Sequence, residues 1–543
     1  MLDLNATAIR FFLLVSIILT SCREPNRPET FDFYQSECFR EVQLSGLFSD
    51  SKTFADMDPR LPLAEINEIY ETKKNQPGFV LDSFVTEYFE MPVSPTSNFV
   101  ADSSLDVRAH IRRLWPYLTR QPSDANENSS LIALPNPYVV PGGRFGEIYY
   151  WDSYFTQLGL MADGQKALVR DMVDNFAYLI DTLGFIPNGN RDYFLGRSQP
   201  PFFALMVKLL AQDDPAQAVN YLPQLLREHA FWMEGEAGLN QSQARHRRVV
   251  LMPNGAILNR YWDDSPAPRP ESYKEDVGLA AASGRNRQKL YRDIRAACES
   301  GFDFSSRWFP DHRSLAGIHT TDIVPVDLNA LLWQMEDWIS QVAYAAGDTA
   351  KQSAFAHRAN LRKEAVAEYL FDSESGFFVD YHLEKQAPTG VLSMAGAYPM
   401  FMGMATQGQA DSAKLVLENQ LLQAGGFTTT TRESGQQWDA PNGWAPMQWI
   451  GIKGLLNYGF EELAQEAAGR WIAANEEIYE SKGKLVEKYN VYRPLDEAGG
   501  GEYPNQDGFG WTNGVLSKLL DMGYEAIPEA KLKSLQMEPA VVQ

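Results

Sequence analysis

Residues 141–155, PGGRFGEIYYWDSYF, set Arg144, Glu147 and Asp152 among six aromatic rings directly after a Pro-Gly-Gly turn. A core segment avoids three charges, and a solvated loop has no use for six rings. The combination suits a carbohydrate. Ring faces cover the apolar C–H patches of a pyranose, while carboxylate and guanidinium take its hydroxyls. Two more stretches have the same character, GQQWDAPNGWAPMQW at 435–449 and GGGEYPNQDGFGWTNG at 499–514. Any one of them alone reads as a packed loop whose tryptophan N–H and aspartate cap each other. Three in one chain point to a sugar site.

These stretches punctuate a helical chain. Leu168, Met172, Phe176, Ile180 and Leu183 recur at steps of three and four. So do Leu328, Leu331, Met335, Ile339 and Val342, and again Leu463, Ala467, Trp471, Ala474 and Ile478. That spacing lays an apolar stripe along a helix. Strand-like alternation is scarce, and RRVVLMPNGAILNRYW (247–262), with its Asn-Gly turn, is the best hairpin candidate. Helices of this kind joined by short turns predict a toroid or solenoid, with a site built in the long loops of one side. No repeat and no long linker follows residue 40, so one domain over 43–543 is expected.

A chain of 543 residues, 44% of them hydrophobic, can bury a large core. Its net charge of -22 argues against nucleic acid, which needs a basic surface, and is compatible with a neutral substrate. FFLLVSIILTSC, an apolar run from Phe11, is too short to span a bilayer and reads as an export signal. Leu19-Thr20-Ser21-Cys22 resembles a bacterial lipobox. That reading makes 1–21 a signal peptide, Cys22 the lipidated residue, 22–42 a tether, and the product a periplasmic, membrane-anchored protein. An ordinary secretory signal is the alternative, since Arg10 is the sole basic residue there and Asp3 offsets it. Cys38 and Cys298 do not make a disulfide framework. Cys298 lies in an apolar-spaced helical run and reads as a buried free thiol.

PGGRFGEIYYWDSY and QWDAPNGWAP match in full the two signature patterns of the trehalases of glycoside hydrolase family 37. KTFAD, LWPYLTR, IPNGNR, RSQPPFFALM, NRYWDD, SGFDFSSRW, LVEKYN and GGGEYPNQDGFGWTNG follow in the order of its bacterial periplasmic members, so the resemblance covers residues 43–525. It implies an all-α (α/α)6 barrel that hydrolyses α,α-trehalose to two glucoses with inversion, using neither metal nor organic cofactor; separately, a monomer is expected. By the same resemblance Asp303 is the proton donor and Glu487 the general base. Arg144, Trp151, Asp152, Asn188, Arg197, Ser198, Gln199, Arg269, Glu271, Gly301 and Glu502 are implied to hold the sugar.

The residues alone leave those roles open. Inversion needs an acid and a base roughly 6.5–9.5 Å apart, with room for water between them, and the chain offers 70 acids. Phe302, Phe304 and Trp308 would desolvate Asp303 and keep it protonated, whereas an inward Arg307 would oppose them. Asp303 also reads as a helix N-cap. Glu487, between Val486 and Lys488 with Lys484 near, reads as a surface glutamate paired with lysine. Gly142 and Gly143 are expected to turn the loop beneath the sugar. Pro141, Phe145 and Tyr149 read as packing, Trp438 and Trp444 as either packing or contact. His319, with no partner at metal-ligand spacing, reads as structural. A glucoamylase-like barrel enzyme acting on maltose or kojibiose ranks behind, lacking these signatures. So do a two-lobed sugar-capturing lipoprotein, which the helical pattern opposes, and an inactive descendant, since both carboxyls are present.

Overall fold

The computed structural model describes residues 31–537 except 103, 123–127 and 312. The expected signal peptide, Cys22 and the first part of the tether lie outside the described residues. In chain order the barrel helices are α1 (Val107–Leu118), α2 (Tyr150–Ala162), α3 (Lys166–Leu183), α4 (Phe203–Leu210), α5 (Leu222–Trp232) and α6 (Val326–Ala345). They continue as α7 (Thr349–Tyr369), α8 (Tyr398–Phe401), α9 (Gln407–Val416), α10 (Ala445–Asn457), α11 (Glu461–Lys482) and α12 (Gly510–Asp521). The even-numbered helices form the inner ring: α2 touches α4, then α6, α8, α10 and α12 follow in turn, and α12 comes back to α2. That last contact closes an (α/α)6 barrel, a choice between toroid and open solenoid that periodicity could not make. Outside it, α3 packs on α2 and α4, α5 and α7 on α6, α11 on α10, and α1 on α12.

Composition sorts the helices into the two rings. An inner helix is covered on every side, so α2 buries every residue from Tyr150 to Leu160, Asp152 and Gln157 included. Outer helices keep one apolar stripe. In α3 that stripe is Val169, Met172, Val173, Phe176 and Ile180, while Leu183 at its end is 36% exposed. The five periodic residues of α6 are all buried. Where α2 meets α12 the backbones themselves touch: a Cβ on Gly514 would lie 2.1 Å from the Phe155 carbonyl oxygen. Only glycine fits there.

Strands are short. The expected hairpin forms from Val249–Leu251 and Ile257–Asn259, pairing Val250 with Leu258, and Gly255 takes φ +89° in its turn. A second antiparallel pair, Asn442–Trp444 with Lys488–Asn490, sets Trp444 opposite Lys488. Packing of the N-terminal arm begins at Phe33, inside the stretch expected to be tether. Phe33, Cys38, Phe39 and Val42 are buried with Phe54, Ile66, Tyr70 and Phe84 in a second apolar cluster. Cys38 and Cys298 are buried free thiols. Among the described residues no helix is long and apolar enough to cross a membrane.

Candidate active site

One cavity is lined by Asp303 and Glu487 together with Arg144, Trp151, Asp152, Asn188, Arg197, Gln199, Arg269, Glu271, Gly301 and Glu502. Asp303 reaches it from the long segment between α5 and α6. There the helix Arg287–Ser300 ends on Gly301 in the left-handed conformation, φ +75°. A Cβ on Gly301 would meet the Trp151 indole at 2.7 Å, so glycine both stops the helix and lets that ring lie on the turn. Two residues on, the Asp303 carbonyl accepts from the Gln437 amide and the Phe304 carbonyl from Trp438 N, tying the acid to the 435–449 loop.

Burial pushes the Asp303 carboxyl up to about 7, with the positive charges of Arg269 and Arg197 opposing. Asp303 is therefore no N-cap; the short helix Ser306–Trp308 is capped by the Ser305 hydroxyl. Arg307 does point inward, but Asp327 and Asp380 grip it on both sides and its charge is spent there.

Glu487 leads into strand Lys488–Asn490, where the sheet sets Lys488 opposite Trp444 and its ammonium over that ring at 5.1 Å. Glu487 is 1% exposed, which overturns the expected surface position, while the expected pairing with Lys488 is present at 3.8 Å. Lys484 instead pairs with Asp507, and buried Lys488 donates to Gln437 Oε1 at 2.9 Å. Tyr503 donates its hydroxyl to Glu487 Oε1 at 2.9 Å, while Oε2 has no hydrogen-bond partner among the described residues and faces the Lys488 ammonium at 3.8 Å. Burial raises the Glu487 carboxyl above its ordinary range, against Lys488 and the Tyr503 hydrogen bond.

Four indoles line the same space. Trp438 and Trp444 stack at 4.1 Å, Trp511 stands edge-on to Trp444 at 5.6 Å, and Trp151 lies 5.7 Å from Trp438. Preset ion pairs line the same cavity. Arg197 donates to Asn188 Oδ1 at 2.8 Å and Glu271 Oε1 at 2.7 Å. Arg269 donates to Asp276 and, at 2.9 Å, to Glu502 Oε1, whose second oxygen takes the Ser272 hydroxyl. Glu271 stays below the ordinary glutamate range because Arg197, Arg269 and Arg295 outweigh its burial. Charged donors and acceptors fixed at several angles beside ring faces are what a polyhydroxylated ring requires.

The profile of the trehalase family matches residues 46–523. The chain belongs to the trehalase family. Periplasmic trehalase from Salmonella agona is 44% identical over 546 residues, covering 99% of this chain and 95% of that one. Putative periplasmic trehalase from Salmonella typhi matches to the same extent. Among solved structures, neutral trehalase from Saccharomyces cerevisiae is 28% identical with a TM-score of 0.57, over 75% of this chain and 76% of that one. A mannosylglycerate hydrolase from Thermus thermophilus in complex with glucose has a TM-score of 0.50 at 19% identity, over 76% of this chain and 99% of that one. It shares the fold.

Within this trehalase-family pocket, ten of the eleven residues expected to bind sugar line the cavity. Ser198 does not. Its hydroxyl donates to Ile186 O at 2.6 Å and its N–H to Glu299, so it anchors the loop that carries Arg197 and Gln199. Phe145 and Tyr149, expected as packing, are part of the cavity wall, as are Trp438 and Trp444. Gly142 and Gly143 turn against protein: their missing Cβ positions face Leu118 and the Gln506 side chain. Glu147 is buried on Lys52 rather than on sugar. His319 stacks on His382 at 4.9 Å and takes no part in the wall. Sequence reasoning missed Tyr503, Lys52, Phe194 and Ser272. Tyr503 had a signal, as the one ring beside Glu502 in GGGEYPN.

Proposed function

We propose that the chain is an exported α,α-trehalase that inverts configuration, with Asp303 as acid and Glu487 as base. The observation that carries this reading is two buried carboxyls in one indole-lined cavity whose partners differ. Asp303, raised to about 7, holds a proton near neutrality and can pass it to the glycosidic oxygen as the C–O bond breaks. Glu487 has one oxygen occupied by the Tyr503 hydroxyl and the other without a hydrogen bond among the described residues, with the Lys488 ammonium 3.8 Å away favouring its charged form, the arrangement of a base that takes a proton from water. That water's oxygen bonds to the anomeric carbon, and the carbon inverts. One glucose is then released as the β-anomer, and the other keeps its α-configuration. The arginine–carboxylate pairs hold the hydroxyls and the indoles the ring faces.

The relatives named periplasmic support export, and the Leu19–Cys22 motif supports a lipid on Cys22. Glucose release from trehalose, maltose and kojibiose tests the substrate. Trehalose alone should be turned over efficiently, and preference for maltose or kojibiose would overturn the reading.

A further inference from the structure

The N-terminal arm reaches the pocket at three places. Asp50 caps the helix Ser51–Asp56 by accepting from Thr53 N at 2.9 Å, and the same oxygen accepts from Arg144 Nη2 at 3.2 Å. Arg144 in turn lies 4.6 Å over the Tyr503 ring, whose hydroxyl is on Glu487. Lys52 lines the cavity, yet its ammonium group is spent: it donates to Asp56, Glu147 and Tyr193, at 2.6, 2.5 and 3.1 Å. An ammonium has three N–H bonds, so none is left for a sugar hydroxyl. Gln43 donates to the carbonyl of Pro270 at 3.0 Å, between Arg269 and Glu271.

We propose that the arm, residues 37–56, buttresses the catalytic pocket from behind its lining, and that Asp50 is a positioning residue for Arg144. Asp50 touches no reacting atom; it fixes where the guanidinium points. The arm's other two contacts, through Lys52 and Gln43, hold the loops on either side. The inference rests on the trehalase reading, since it assigns Arg144 to the sugar.

Capping and positioning can be separated, because serine caps a helix about as well as aspartate but cannot reach the guanidinium, and asparagine does both. In Asp50→Ser the KM for trehalose should rise about tenfold, with kcat within about threefold, the size of one lost charge-assisted hydrogen bond. Asp50→Asn should restore KM to within about threefold of wild type. Unchanged KM in Asp50→Ser, or a fall in kcat and Tm with no rise in KM, would overturn the proposal. Wild-type protein that released no glucose would remove the trehalase reading instead. The arm is then judged by hydrogen exchange of residues 141–155, which needs no substrate: faster exchange in Asp50→Ser supports it, and equal exchange refutes it.

Discussion

Asp303 and Glu487 carry the same functional group, so their different work has to come from surroundings. For Asp303 the dominant effect is burial, and in the proposed role its proton must be present for the leaving oxygen. Activity should therefore fall as pH rises through about 7 in a pH-rate profile. On the acid side it should fall where Glu487, as the proposed base, gains a proton, above the ordinary glutamate range. In Asp303→Asn the amide keeps the shape but has no proton to give, so kcat should drop at least about a hundredfold with trehalose binding retained. Activity within tenfold of wild type would remove Asp303 from the role. The part given to Glu487 has a separate readout. NMR spectra taken before mutarotation should show α- and β-glucose in equal amounts, and α-glucose alone at the start would mean retention. Little of this was legible locally. The Glu487-Lys488 dipeptide looks solvated because nothing beside it announces Trp444, which arrives from 43 residues upstream through the sheet pairing. Lys52 and Glu147 stand 95 residues apart in the chain, and only the fold brings them within 2.5 Å.

At the level of elements, the inner ring is set by how closely helices can approach. The α2–α12 crossing depends on Gly159 and Gly514 having no side chain, with 2.5 Å between the built Cβ of Gly159 and the Gly514 Cα. Gly514→Ala should cost about 1–3 kcal/mol of unfolding free energy in denaturant titration, as overpacking does. Gly408→Ala, in α9 with open space around it, should be neutral or slightly stabilising. Equal effects of the two would show that the crossing is not tight.

A second element-scale consequence concerns Glu228 of α5. It is 1% exposed, accepts from the Tyr150 hydroxyl of α2, has no partner on Oε2, and is pushed up to about 8 by burial. The folded state thus holds a proton that the unfolded chain releases above its ordinary glutamate value of about 4.3. Stability is greatest below that value and declines as pH climbs towards 8, by at most about 1.4 kcal/mol per unit. Glu228→Gln removes the titration, so its Tm advantage over wild type should widen from pH 5 to 8; parallel curves would refute it. Helix periods were readable in sequence because an apolar stripe is a local property. Ring closure was not, since it rests on α12 meeting α2 some 350 residues earlier.

For the molecule as a whole, the proposed reading gives location and catalysis to different parts of the chain. The pocket is lined by the barrel loops and by Lys52 of the arm, whereas Cys22 lies ahead of Phe33, where packing begins. Among the described residues none lining the pocket precedes Lys52. A lipid on Cys22 would then decide where the enzyme sits without touching its chemistry. The acidic surface adds nothing to the binding of a neutral disaccharide, because an uncharged ligand is not steered by net charge. Cys22→Ala should therefore abolish incorporation of labelled fatty acid and release the protein from membranes, with kcat/KM for trehalose within about twofold of wild type, a change too small to reflect a lost contact. Protein beginning at residue 31 should match it. Protein beginning at residue 57 keeps every barrel helix but lacks Asp50 and Lys52, and should fall well below both. If labelled lipid persisted in Cys22→Ala, the anchor would have to be placed elsewhere. If cutting at residue 31 cost as much as cutting at residue 57, the division between address and active site drawn at Phe33 would be wrong.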